Sequence, residues 1–169
     1  MGFRRLKSDF GIYVKGEAEK AVYIALYVDD LFLVGKLHAH IREVKRGLSK
    51  EFKMKDLGEA KFLLGLDIRR RGNGDVILVQ ERYARDALVR FNMQGCKPVS
   101  TPLELGTQLS VTQQRVTAEE HQEMAKIPYR SAIGSLLYLA TCTRPDLAVV
   151  VSEVSKYSQN PGLKLWEGV

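Results

Sequence analysis

The most apolar stretch of the chain, residues 21–34, is split near its middle by two adjacent carboxylates, Asp29 and Asp30. Residues 21–28 and 31–34 each read as a short apolar strand, and aspartate tolerates turn geometry. The chain is therefore expected to fold back on itself, with both carboxylates at the tip of a hairpin. Just upstream, the apolar run 10–14 and the polar turn Gly16-Glu17-Ala18-Glu19-Lys20 predict another hairpin that ends in the same strand. Downstream the period changes. Ile41, Val44, Leu48 and Phe52 recur at helical spacing, while Arg42, Glu43, Arg46 and Lys50 face elsewhere, so an amphipathic helix over 39–52 should lie on the sheet.

The rest of the chain alternates less regularly. Residues 61–68 read as a strand, and Arg71-Gly72-Asn73-Gly74-Asp75 is a turn signal ahead of the β-rich run 76–79, which makes a second hairpin. Tyr83, Ala84, Ala87, Leu88 and Phe91 trace one face of a helix that ends near Asn92. A polar loop with Pro98 and Pro102 is expected over about 95–117. Helical spacing resumes at Tyr129, Ile133, Leu136, Leu137 and Ala140, breaks around Thr143-Arg144-Pro145, and continues at Leu147, Val150, Val151, Val154 and Tyr157, predicting two packed helices.

Composition narrows the function classes. An apolar content of 45% in 169 residues supplies a core for one domain or two small lobes. An excess of 26 basic over 20 acidic residues, with a pI near 9.3, favours polyanionic partners. The basic start at Arg4, Arg5 and Lys7 is followed by no long apolar run, so neither a signal peptide nor a membrane span is expected. Cys96 and Cys142 are too few and too far apart for a disulfide framework, which points to a reducing, intracellular setting. His38 and His40 would diverge at a helix start and have no further Cys or His beside them, so they form no zinc pattern. Gly72-Asn73-Gly74 is not followed by Lys-Ser or Lys-Thr and is no phosphate-binding loop.

Asp29-Asp30 is the pair that carries chemistry. Magnesium takes oxygen ligands, commonly only one or two protein carboxylates, and leaves its other positions to water and substrate phosphates. Two-metal phosphoryl transfer needs such carboxylates on a rigid support, which a tight hairpin provides. Read from these residues alone, the pair is better explained as good turn chemistry, and four residues do not settle the matter.

The surrounding text resembles copia-type retrotransposon reverse transcriptases from about Gly2 to Pro161. The residues that carry the resemblance are Leu26-Tyr27-Val28-Asp29-Asp30-Leu31, the run Phe52-Lys53-Met54-Lys55-Asp56-Leu57-Gly58-Glu59-Ala60-Lys61-Phe62-Leu63-Leu64-Gly65, Cys96-Lys97-Pro98-Val99-Ser100-Thr101-Pro102, and Tyr129-Arg130-Ser131-Ala132-Ile133-Gly134-Ser135-Leu136-Leu137-Tyr138-Leu139-Ala140-Thr141, in that order. The resemblance implies an α+β fold: a partial polymerase palm over 1–80, made of antiparallel hairpins with a packed helix, then a mainly helical thumb-like lobe over 81–169. Asp29 would be a metal ligand, Asp30 its acidic neighbour, and Tyr27 would line the site. Lys61, Phe62, Leu63 and Gly65 look like the strand that grips the primer, with Gly65 either letting backbone approach backbone or marking a bulge. Arg69, Arg70, Arg71, Arg82, Arg85 and Arg90 are candidates for backbone phosphate contacts, or else a solvated charged face.

In the complete enzyme the resemblance implies two magnesium ions, with manganese as the alternative, an RNA/DNA template-primer, and deoxynucleotides. The setting would be the cytoplasm or a retrotransposon particle. The family's other metal-binding aspartate, its nucleotide-selecting segment and its fingers lie upstream of the matched region, and its ribonuclease H domain lies beyond it. The chain alone is therefore expected to be inactive. The alternative expectation is a non-catalytic remnant or a nucleic-acid-binding module.

Overall fold

The first hairpin closes through a left-handed glycine. In the computed structural model, which describes residues 1–102, 109–114 and 117–166, Gly16 has φ +81°, and a Cβ there would meet the Lys20 carbonyl oxygen at 2.8 Å. Only glycine fits so close a backbone approach at that angle. A single 3₁₀ turn, Ala18–Lys20, then leads into the next strand. The strands are β1 (Arg4–Arg5), β2 (Ile12–Lys15), β3 (Val22–Tyr27) and β4 (Asp30–Gly35). They pair antiparallel in the order β1-β2-β3-β4.

Helix α1 (His38–Glu51) lies on one face of this sheet, as the period change predicts. Val44 and Leu48, one turn apart, are buried with Val22 and Ile24, and Phe3, Tyr13, Leu31 and Leu33 pack around them. Each aliphatic side chain removed from water there contributes roughly 1.5–3 kcal/mol. Lys15 on β2 reaches Glu43 on α1 at 3.5 Å. Phe52, expected on the same buried stripe, instead caps the C-terminus of α1 and is 61% exposed. Its φ of −130° and ψ of 144° leave the helix, so it no longer follows the helical period. Beyond it residues 53–60 run without regular structure, clipped to α1 where Lys45 Nζ donates to both carboxylate oxygens of Asp56 at 2.8 and 2.9 Å. That ammonium and the Gly58 N–H hold the Asp56 carboxyl below its usual range.

By its internal contacts the chain divides into Met1–Ala60 and Lys61–Val169. The second unit opens with a three-stranded antiparallel sheet, β5 (Phe62–Leu63), β6 (Leu66–Arg70) and β7 (Val76–Val79), in that order. Residues 61–68, read from sequence as one strand, are thus a hairpin with Leu64-Gly65 as its turn. Helix α2 (Glu81–Arg90) follows. Of the expected polar loop, 103–108 and 115–116 lie outside the described residues. Its end is the cap of a helix that sequence reading missed, α3 (Ala118–Met124).

Helices α4 (Tyr129–Cys142) and α5 (Ala148–Ser155) are the two packed helices expected from the period, separated by a 3₁₀ turn at Pro145–Leu147. With the short α6 (Leu163–Trp166) they enclose the larger core, in which Val151, Val154 and Leu165 are almost wholly buried. Tyr129 fills the centre, and its hydroxyl donates to the Val154 carbonyl at 2.9 Å. The protein is mixed α and β with antiparallel sheets. Among the described residues no helix is long and apolar enough to cross a membrane.

Candidate functional site

The β3–β4 hairpin turns one residue earlier than its carboxylates suggest. Its two-residue turn is Val28-Asp29, while Asp30 opens β4 directly opposite Tyr27. Val28 adopts φ +52°, the left-handed region that β-branched side chains avoid. A positive φ at the first turn position alone matches a type II′ turn, whose twist suits a tight hairpin but which favours glycine there. The observed register sets Ile24 opposite Leu33 in the core. A turn centred on Asp29-Asp30 would move Gly35 into that place, so core pairing overrides local turn preference.

The turn gives the two carboxylates different surroundings. Asp30 sits in register beside Tyr27, which is 57% exposed. Asp29 lines an apolar groove of about 520 Å³ on the helix side of the sheet, together with Leu26, Leu31, Leu48, Phe52 and Met54. Both aspartates are exposed, and neither side chain has an ion-pair partner among the described residues. No group of three or more His, Cys, Asp or Glu positioned for a metal occurs among the described residues. Two exposed carboxylates are as many as a magnesium ion commonly takes from protein, the rest of its shell being water and phosphate.

The other expected site residues lie in the second unit. Lys61, Phe62, Leu63 and Gly65 belong to the β5–β6 hairpin, closed where the Ile68 N–H donates to the Lys61 carbonyl at 2.8 Å. Phe62 is half exposed and carries the Arg82 guanidinium 5.2 Å from its ring centre. Leu64 (φ +50°) and Gly65 (φ +81°) both take left-handed angles, the signature of a type I′ turn. Gly65 serves that turn. What comes close to it is not backbone but the rings of Tyr83 and Tyr138, each 3.5 Å from where a Cβ would stand.

The arginines are largely engaged with carboxylates. Glu81 joins Arg69 at 3.1 Å and Arg85 at 2.6 Å, and those two guanidiniums hold its carboxyl below the ordinary range. Arg82 reaches Asp67 at 3.6 Å, and Arg70 is also engaged. Arg71 and Arg90 are exposed and make no side-chain ion pair among the described residues. Sequence reading missed Asp67 and Glu81, which neutralise part of this cluster. The (i, i+4) spacing of Glu81 and Arg85 was the available signal.

The antiparallel sheet backed by one helix, with a carboxylate-bearing hairpin at its edge, agrees with the local structure read from the sequence over residues 10–52. A profile of the family described as reverse transcriptase (RNA-dependent DNA polymerase) matches residues 1–105. The chain belongs to that family, in its copia-type branch. Among curated proteins it is 47% identical over 96% of its length to the retrovirus-related Pol polyprotein from transposon TNT 1-94 of Nicotiana tabacum. It is 33% identical over 95% of its length to the putative transposon Ty5-1 protein YCL074W of Saccharomyces cerevisiae, and 31% identical over its whole length to the Pol polyprotein from transposon RE2 of Arabidopsis thaliana. It spans 12%, 50% and 11% of the lengths of these three relatives, respectively. No solved structure matches it significantly.

Proposed function

We propose that this chain contributes part of the palm, over 1–80, and a thumb-like lobe, over 81–169, to an RNA-directed DNA polymerase acting inside the cell on a template-primer. The observation that carries the reading is the Tyr27-Val28-Asp29-Asp30 turn, which holds two exposed carboxylates on a sheet-and-helix support. In the reaction a primer 3′ hydroxyl attacks the α-phosphate of a deoxynucleotide and pyrophosphate leaves. Magnesium ions, when bound, stabilise the attacking and leaving oxygens. Asp29 and Asp30 supply carboxylate ligands, Tyr27 borders the nucleotide, and the β5–β6 hairpin with Lys61, Phe62, Leu63 and Gly65 holds the primer end. Arg71 and Arg90, the cations left without acidic partners, are the best placed of the six arginines to meet backbone phosphate.

Among the described residues no third His, Cys, Asp or Glu joins Asp29 and Asp30 in a group able to hold a metal, and the reading therefore includes a further polymerase segment. The test fuses the upstream polymerase segment of the tobacco relative to this chain and follows incorporation of labelled deoxynucleotide on a primed RNA template with magnesium or manganese. The fusion should extend the primer, the 169-residue chain alone should not, and Asp29→Asn in the fusion should abolish synthesis while leaving the fold intact. Positioning of reactants accounts for roughly 7–11 kcal/mol of such a barrier, so the unaided chain should fall below detection. Synthesis by the unfused chain that is lost on Asp29→Asn would show that its own residues complete the site. A fusion that binds hybrid but never extends it would favour a non-catalytic nucleic-acid-binding module.

A further inference from the structure

The turn of the β5–β6 hairpin is not one that its own sequence sustains. A type I′ turn needs two left-handed residues and is commonly Asn-Gly or Asp-Gly, whereas here Leu64, with a branched aliphatic side chain, occupies the first position at φ +50°. Non-glycine residues persist at such angles only where surrounding structure over-determines them. The surroundings are two tyrosines from distant helices. The Tyr138 hydroxyl on α4 donates to the Leu64 carbonyl. Its ring meets that of Tyr83 on α2 edge-on, with centroids 4.9 Å apart and planes at 73°, and both rings bear on Gly65.

We infer that Tyr138, backed by the Tyr83 ring, is a positioning residue: its hydroxyl fixes the β5–β6 turn and so sets where Phe62 and Lys61 meet the primer terminus. The inference rests on the primer-holding reading of this hairpin given above. Tyr138 touches no reacting atom. It reaches the hairpin from a helix whose opposite side, at Tyr129, Ile133 and Ala140, is built into the core, so the turn is referenced to that buried core. Gly65 is part of the same device, because a side chain there would strain its positive φ, while the two rings pack within ordinary contact distance of it.

Two measurements test this. In the 169-residue chain, Tyr138→Phe keeps the ring and removes the hydroxyl. Hydrogen exchange at the Ile68 amide, which closes the hairpin, should quicken on the order of fivefold, while amides of the β3–β4 hairpin stay unchanged. Unchanged exchange at Ile68 would overturn the inference. In the fused polymerase, single-turnover extension separates positioning from folding. A misplaced primer end slows the burst rate, on the order of tenfold, with burst amplitude and affinity for template-primer preserved. A merely structural loss lowers the amplitude and leaves the rate, and that result would also overturn the inference. Phe62→Ala distinguishes the two levels of the argument. If Phe62→Ala slows the burst and Tyr138→Phe does not, Tyr138 is no positioning residue although the hairpin holds the primer. If neither variant changes the rate while Asp29→Asn abolishes it, the primer-holding reading falls and takes this inference with it.

Discussion

A β-branched residue held in the left-handed region gives up roughly 1–3 kcal/mol, and Val28 does so with a side chain that is 80% exposed and gains little burial in return. Val28→Gly should therefore raise stability by about 1 kcal/mol, after allowing for the extra freedom of glycine in the unfolded chain, as a higher urea midpoint with an unchanged slope. A drop in the midpoint would mean that the angle is not strained. The sequence put the carboxylates at a hairpin tip but could not place the turn to the residue, because Asp-Asp and Val-Asp both span two positions and the choice was made by Ile24 and Leu33 pairing elsewhere. Tyr129 shows the opposite case, a residue whose burial was legible from helical spacing. Desolvation, with a smaller effect from Tyr157, pushes its phenol up to about 12. Since the folded state keeps this proton more tightly than the unfolded chain, whose tyrosine titrates near 10, the stabilising contribution is complete below that pH and is lost as pH rises towards about 12. Tyr129→Phe should flatten the alkaline fall in urea midpoint between pH 10 and about 12, and an equally steep fall in the variant would refute the assignment.

At the scale of elements, two local signals decide what sequence reading found and what it missed. Helix α3 begins with a reciprocal cap: Thr117 Oγ1 accepts from the Glu120 N–H at 3.2 Å, and Glu120 Oε2 accepts from the Thr117 N–H at 3.0 Å. The Thr-x-x-Glu pattern was present, but it stands at the end of a polar run and lacks the apolar stripe that made α1, α4 and α5 readable. Thr117→Ala should cost about 1 kcal/mol, read as a lowered urea midpoint, and Thr117→Ser should restore most of it. The β5–β6 hairpin failed for another reason. Its apolar residues run on without a break, and Leu64-Gly65 carries no standard turn signature, so a strand was the natural reading. The partners that bend it sit on α2 and α4, out of reach of any local window.

Over the whole molecule the net charge of +6 suggests a polyanion surface, yet the geometry distributes it unevenly. Arg69, Arg82 and Arg85 face Glu81 and Asp67, so their charge is partly cancelled before any phosphate arrives. Binding of the chain to an RNA/DNA hybrid should be weak, with Kd on the order of 10⁻⁴ to 10⁻⁶ M near physiological salt, and should weaken further as salt rises. Fluorescence anisotropy should show Arg71→Ala and Arg90→Ala reducing the salt dependence more than Arg69→Ala or Arg85→Ala. Equal effects from all four would mean that the ion pairs open on binding. The mixed architecture, the sheet-backed first helix and the packed helices α4 and α5 were all legible, because each follows from one hydrophobic period. Which arginines remain free was not, since that depends on carboxylates brought close by folding.

The hydroxyl contact between Tyr138 and Leu64 joins residues 74 positions apart in the chain, and this has a bearing on the order of assembly. Closing so long a loop is entropically costly and is repaid only after α4 exists, so the strained turn is expected among the last features to form. The β3–β4 hairpin needs only its immediate neighbours in sequence. A chain emerging from the ribosome would thus finish the carboxylate-bearing element well before the hairpin that would hold the primer is pinned in place.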